Sequence, residues 1–339
     1  MQVRHDVRLA DLTTLAVGGP IERLVEVEDA SELVAAVREA DEAGRPLLVL
    51  GGGSNVVAPD EGWPGDVVAV RTRGIARSGA TLTVQAGEEW DALVAHTVVH
   101  ELAGIEALAG IPGSTGATPV QNVGAYGQEV AQTITAVRVY DRAEKAERVL
   151  APADCGFAYR DSRLKQHPGR FVVLDVTFEL YVGARSRPVG YAELARRLGV
   201  EVGGTAPLAD VRDAVLELRR GKGMVLDPAD PDSRSAGSFF TNPVVPAARS
   251  VDGCPSWPAG DGLVKLSAAW LVEHAGFGKG TREGRVGTSS RHSLALTTEP
   301  GATAAELLAF ADRVTAAVQE QFGVTLVREP TAVRATAEG

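Results

Sequence analysis

Cysteine is nearly absent: the 339 residues include two, Cys155 and Cys254, about a hundred positions apart and in no CxxC spacing. That argues against a disulfide scaffold or a cysteine-ligated metal site and suits a reducing cytoplasm. No run approaches the roughly 18 uncharged apolar residues that a membrane helix needs. The N-terminal MQVRHDVRLADLTT lacks the apolar core of a signal peptide. Positive charge is in deficit, with 34 Lys and Arg against 44 Asp and Glu and a formal net charge of −10. So acidic a chain lacks the basic footprint of sequence-independent nucleic-acid binding, yet locally gathered cations and backbone N–H groups still suit small anions. Aromatic residues are scarce, at 5%. Glycine is plentiful, at 38 residues, which points to tight turns and to backbone that approaches a partner closely. Length suggests two domains, and 45% apolar with 23% charged residues is a globular composition. The expectation is a cytoplasmic monomer with a small-molecule partner and no nucleic acid, membrane or metal.

Periodicity over the first 180 residues alternates strands and helices. Strands are expected at 24–28, 46–50, 67–71, 81–87, 137–141 and 171–180, with a helix from Ser31, its expected cap, to Ala43 and another over 89–103. The string RRGKGMVLDPADPDSRSAG (219–237) reads as a long loop, with Asp227, Asp230 and Asp232 solvated. Beyond it, helices are expected over 265–275 and, capped by Thr303, over 303–322. The division expected is a first lobe at 1–66, a second at 67–222 to which 324–339 returns, and a third unit at 223–323.

Four strings carry chemistry. Gly51-Gly52-Gly53-Ser54-Asn55 follows a buried strand and exposes backbone N–H groups to a diphosphate. It is neither a Rossmann fingerprint nor a Walker loop, and a plain turn is the alternative. Residues 110–127, GIPGSTGATPVQNVGAYG, hold five glycines and no charge. Such a segment suits the lining of a dinucleotide groove, the alternative being a ligand-free Ω-loop. Tyr159-Arg160-Asp161-Ser162 offers a guanidinium fork for a carboxylate, or else a surface ion pair. Gly237-Ser238-Phe239-Phe240 offers a hydroxyl in a dry pocket, or a simple strand start. His96 and His100 are four apart but lack the zincin glutamate, Thr97 standing in its place.

In order, LGGGSNVV, IPGSTGATPVQNVGAYG, FAYRDS, SAGSFFTNPV and KLSAAWLVEHAGFGKG resemble the UDP-N-acetylenolpyruvoylglucosamine reductase family from Thr13 to Glu329. Thr13-Thr14 stands where the family has Asn-Thr, and Pro330 follows Glu329 where Val-Arg is usual. The resemblance implies an α+β chain: a two-lobed FAD-binding fold of the vanillyl-alcohol-oxidase (PCMH) type plus a C-terminal α+β substrate-binding domain. It implies non-covalent FAD, NADPH as hydride donor and a sugar-nucleotide substrate. Cofactor contacts fall on Gly51, Gly52, Gly53, Ser54, Asn55 and Val56, and on Gly113, Ser114, Thr115, Gly116, Gln121, Asn122, Gly124, Ala125 and Tyr126. By the same resemblance Arg160 and Glu329 stabilise an enolate and Ser238 protonates it. Tyr191, from a loop that closes on the diphosphate, Lys222, Asn242 and His292 touch substrate. A sugar or alcohol oxidase of the same fold and a non-catalytic nucleotide binder are the competing readings. The Ser–Arg–Glu set suits protonation of an enolate better than either.

Overall fold

The computed structural model describes residues 1–334. The first lobe is a sheet in the order Gln2–Arg4, Pro20–Val27, Trp63–Val70, Leu47–Leu50, parallel among the last three. Along Trp63–Val70, side chains alternate between two cores, as the two-residue period of a strand requires. Val67 and Ala69 join a small core with Leu24 and Leu50, whereas Val68 and Val70 join a large one with Val25 and Leu33. That alternation makes it a central strand of the first lobe. The expected division after residue 66 therefore cuts a strand, and the lobe extends to Val70.

The second lobe is an antiparallel sheet in the order Ala146–Leu150, Ile134–Asp141, Phe171–Glu179, Thr81–Gln85, Ile75–Ser78. Its apolar faces share the large core with the first lobe, and helices Trp90–Val99 and Leu208–Gly221 pack on it. The third unit pairs Ser235–Ser238, Ala295–Thr298, Val286–Thr288 and Arg282–Glu283 antiparallel. Helices Ala268–His274 and Ala304–Phe322 cover this sheet over a separate core. Thr331–Ala332 then pairs in parallel with Val56–Val57. The chain thus returns to the first lobe, where Val56 and Val333 pack on the small core, while Glu329 of the same segment reaches the second. Residues 335–339 of the expected return lie outside the described residues.

Two local expectations change. The first helix is Ala30–Glu42, and its cap is Asp29, whose Oδ1 accepts from Glu32 N at 2.8 Å. Ser31 donates its hydroxyl to that same oxygen, so it serves the cap without being it. Asp232 is buried, accepting from Ser290 N at 2.9 Å and Ser290 Oγ at 2.6 Å. Asp230 pairs with Arg291 at 2.9 Å. Both aspartates brace the loop at 289–293 instead of facing solvent.

The third unit is bolted to the first lobe by polar contacts. Thr14 donates to Ser235 O at 2.9 Å, Thr298 donates to Leu15 O at 2.6 Å, and Asp60 accepts from Ala304 N and Ala305 N at 2.7 and 2.9 Å. Asp60 thereby satisfies two otherwise orphaned N–H groups of the Ala304–Phe322 helix, beside its own Thr303–Glu306 capping box. Asp60→Ala should cost about 1 kcal/mol in urea unfolding, the usual loss for an N-terminal cap. An unchanged midpoint would show that Thr303 alone suffices.

Candidate active site

The strand Leu47–Leu50 runs into the triglycine turn, which lies against the second glycine loop with the small side chains of Ser54 and Ser114 at the contact. A Cβ on Gly52 would sit 2.6 Å from Gly113 Cα, and one on Gly51 would run into Ser114 Oγ. Gly53 has φ +63°, and its Cβ would meet the Leu12 carbonyl. Glycine is therefore demanded here by the protein's own backbone, before any ligand is considered. The N–H groups of Gly51, Gly52, Gly53, Ser54 and Asn55 meet no backbone acceptor among the described residues. Those of Gly113 and Ser114 are likewise unpaired with backbone. Thr115 Oγ1 is buried and unpartnered. A row of orphan donors beside a narrow loop-to-loop contact fits a diphosphate, so these residues fit FAD.

Some residues expected at the cofactor also spend polar groups on the loop itself. Asn122 is buried, and its amide is consumed inside the loop. Nδ2 donates to Glu129 Oε2 and Ala158 O at 2.9 and 3.0 Å, while Oδ1 accepts from Ala131 N at 3.2 Å. Thr115 N and Gly116 N donate to Glu88 O and Ala86 O, both at 2.8 Å. These three hold the loop in shape. Asn122, Tyr126 and Arg160 all have left-handed φ, at 47, 49 and 56°. Three such strained non-glycine residues lie close along one wall of the site, a pattern typical of functional centres.

Arg160 and Glu329 meet, with Nε to Oε1 at 3.2 Å. Arg160 Nη2 donates to Gly124 O at 2.6 Å, and Lys165 Nζ donates to Arg160 O at 2.9 Å. Glu329 is tied to the cofactor loops through Gln121, whose Oε1 accepts from Asn55 Nδ2 at 2.6 Å and whose Nε2 reaches Glu329 Oε1 at 3.5 Å. Asn55 Nδ2 also reaches Glu329 O at 3.3 Å. Glu329 N donates to Phe239 O at 2.9 Å, which brings the residue next to Ser238 into the same cluster. Burial lifts the Glu329 carboxyl above the ordinary carboxylate range, against the pull of Arg160 and Lys165.

The four expected substrate contacts fall in two places. Asn242 lines an open cavity of about 850 Å³ beside Arg160, together with Tyr159, Lys165, Arg249 and Arg328. Its Oδ1 is already used, accepting from Ala268 N at 2.9 Å. Lys222 and Tyr191 gather instead around Tyr126. Lys222 Nζ lies 5.6 Å from that ring centre, and the Tyr191 ring packs edge-on to it at 5.4 Å. His292 is held neutral, its pKa lowered to about 4 by burial and by Lys222 and Lys279. Arg219, which no motif marks, is a buried guanidinium whose Nε has no partner among the described residues. The signal was available, because Arg219 falls four residues after Val215 and eight after Val211, on the apolar face of its helix.

A two-lobed sheet pair closing on such a cradle is the architecture of FAD-dependent oxidoreductases, and residues 21–149 match the family model described as FAD binding domain. Residues 228–333 match the one described as UDP-N-acetylenolpyruvoylglucosamine reductase, C-terminal domain. Proteins named UDP-N-acetylenolpyruvoylglucosamine reductase resemble the chain along its whole length. That of Thermobifida fusca is 55% identical over 98% of both chains, and that of Streptomyces coelicolor is 53% identical over 98% of this chain and 91% of its own. The solved structure of this reductase from Thermus caldophilus superposes with a TM-score of 0.70 at 28% identity, over 98% of this chain and 99% of that one. The chain belongs to the UDP-N-acetylenolpyruvoylglucosamine reductase family. Its fold is the expected FAD-binding pair of lobes with a C-terminal α+β domain, and FAD is its cofactor.

Gly53→Val separates the two demands on the triglycine turn. The clash with Leu12 and the strain at positive φ predict that thermal midpoint and bound flavin fall together. Flavin loss at wild-type stability would mean that only the ligand excludes a side chain there.

Proposed function

We propose that this chain reduces UDP-N-acetylglucosamine enolpyruvate to UDP-N-acetylmuramate, using NADPH, in the supply of peptidoglycan precursors. The observation that carries this reading is the Arg160–Glu329 contact at 3.2 Å, wired through Gln121 and Asn55 to the flavin loops. The loops at 51–56 and 113–126 would hold FAD non-covalently, and the bound flavin would supply the hydride, drawn from NADPH. The protein's task is then to receive the charge and place a proton. Hydride addition to the terminal carbon of the enolpyruvyl group pushes negative charge onto its carboxylate. Arg160 is fixed by Gly124 O through Nη2 and by Glu329 through Nε, so the rest of its fork stays fixed in direction to meet that charge. A protonated Glu329 donates to the second oxygen. Ser238 protonates the adjacent carbon from one face, which sets the new stereocentre. Lys222, Tyr191, Asn242 and His292 serve the sugar nucleotide.

An oxidase of the same fold gains nothing from a carboxyl that burial pushes toward its acid form beside a guanidinium. Enolate protonation does. No helix among the described residues is long and apolar enough to cross a membrane, and the described residues hold no cluster suited to a metal ion.

Two measurements test the roles. Ser238→Ala should leave flavin reduction by NADPH within about a factor of two of wild type while slowing reoxidation by the enolpyruvyl substrate by about 100-fold or more, the scale of a lost general acid. Equal loss in both half-reactions would remove Ser238 from proton transfer. The second concerns pH. A raised Glu329 pKa means that the acid form is lost as pH rises through that value, so reoxidation should fall on the alkaline side while flavin reduction does not. Glu329→Gln should flatten that limb, and a limb that persists in this variant belongs to another group.

A further inference from the structure

Lys222 caps the C-terminal end of the Leu208–Gly221 helix. Its Nζ does not stand free: it donates to Glu193 Oε2 at 2.9 Å. Glu193 lies in the first turn of the helix Ala192–Leu198, directly after Tyr191. The same Lys222 faces the Tyr126 ring against which Tyr191 packs. The lysine expected to meet an anionic substrate thus already has an anion of its own, supplied by the segment that carries the substrate tyrosine. Side-chain exposures of 29% for Lys222 and 37% for Glu193 leave the pair open to an incoming ligand. It is therefore an exchangeable contact and not a buried structural bridge.

We propose that Glu193 is a built-in competitor for the substrate diphosphate, occupying Lys222 in the free enzyme and giving way when the nucleotide binds. The proposal rests on the reading of Lys222 as a cation for the sugar nucleotide. A phosphate oxygen arriving at Nζ must displace Oε2, and until Glu193 turns away two anions share one ammonium. Glu193 is thus a positioning residue that sets affinity through Lys222. Its place in the first helical turn keeps the released carboxylate tolerable, since a helix N-terminus favours negative charge.

The test uses the FAD-loaded enzyme. UDP is titrated by its perturbation of the flavin spectrum, and KM and kcat are measured for the enolpyruvyl substrate. Glu193→Gln should tighten UDP and lower KM by about two- to fivefold, the range of a partly exposed ion pair, with KM moving more than kcat. The gap from wild type should close at high salt, where the competing charge is screened. Unchanged or weaker UDP binding in Glu193→Gln would overturn the competitor role. Lys222→Met separates the two readings. Weaker UDP binding there keeps Lys222 as the substrate cation whatever Glu193→Gln does. Unaltered binding would overturn the Lys222 reading and the competitor role together.

Discussion

Glu329 is the residue on which the three units converge. Its backbone N–H is held by Phe239 of the third unit and its carbonyl by Asn55 of the first lobe. Its carboxyl is held by Arg160 and Gln121 of the second. A carboxyl so placed has lost most of its water, which makes its charged form costly unless the guanidinium compensates. Burial prevails, and the carboxyl is lifted. The consequence reaches well beyond one side chain. The contact between glycine loops positions Asn55 opposite Gln121, Gln121 orients Glu329, and Glu329 orients Arg160. The left-handed backbone at Arg160 is one local cost of that order.

The polar ties between the first lobe and the third unit complete this arrangement. Thr14, Thr298 and Asp60 each spend a side chain on backbone of the other unit or of its linker. The parallel pairing of Thr331–Ala332 with Val56–Val57 starts two residues after Glu329 and one after Asn55. The strand pairing therefore sets the register in which the acid meets the cofactor loop. A slip of one residue along a strand turns each side chain to the opposite face, so the location of the acid is a property of sheet pairing as much as of its own contacts.

Much of this was readable in advance, for reasons tied to particular residues. The strands rich in Val and Leu and the glycine loops carry local signals, and the structure sets those loops side by side. The Ala304–Phe322 helix announced itself through Thr303 and its apolar spacing. The Leu208–Gly221 helix carries a stripe as clear, with Leu208, Val211 and Val215 at helical spacing, and was passed over together with Arg219, which lies on that face. Asn122 looked like a ligand-facing amide in a ligand-facing loop, yet its partners Glu129, Ala131 and Ala158 are set by the folded loop and carry no local pattern. Asp232 misled in the same way, since Ser290 lies far along the chain. Arg160 stood out as a guanidinium fork in its own string, but Glu329 and the pairing of the two came through resemblance alone, because contact between residues so distant in sequence leaves no trace in spacing.

The acidity of the whole chain sharpens the electrostatic problem at its centre. A protein of net charge −10 that takes an anionic nucleotide must keep its few local cations from being cancelled by its own carboxylates. Around Arg160 desolvation works toward this: burial lifts the Glu329 carboxyl, whose charged form at 3.2 Å would offset the guanidinium more fully. Around Lys222 there is no such device. Glu193 is part-exposed and lies 2.9 Å from Nζ, and the neutral imidazole of His292 adds no positive charge there. The two cations therefore differ in kind. Arg160 faces a carboxyl that burial pushes toward its acid form, whereas Lys222 faces one at the part-exposed surface. Under the proposed reaction that division suits a carboxylate held through a change of charge and a diphosphate that leaves afterwards.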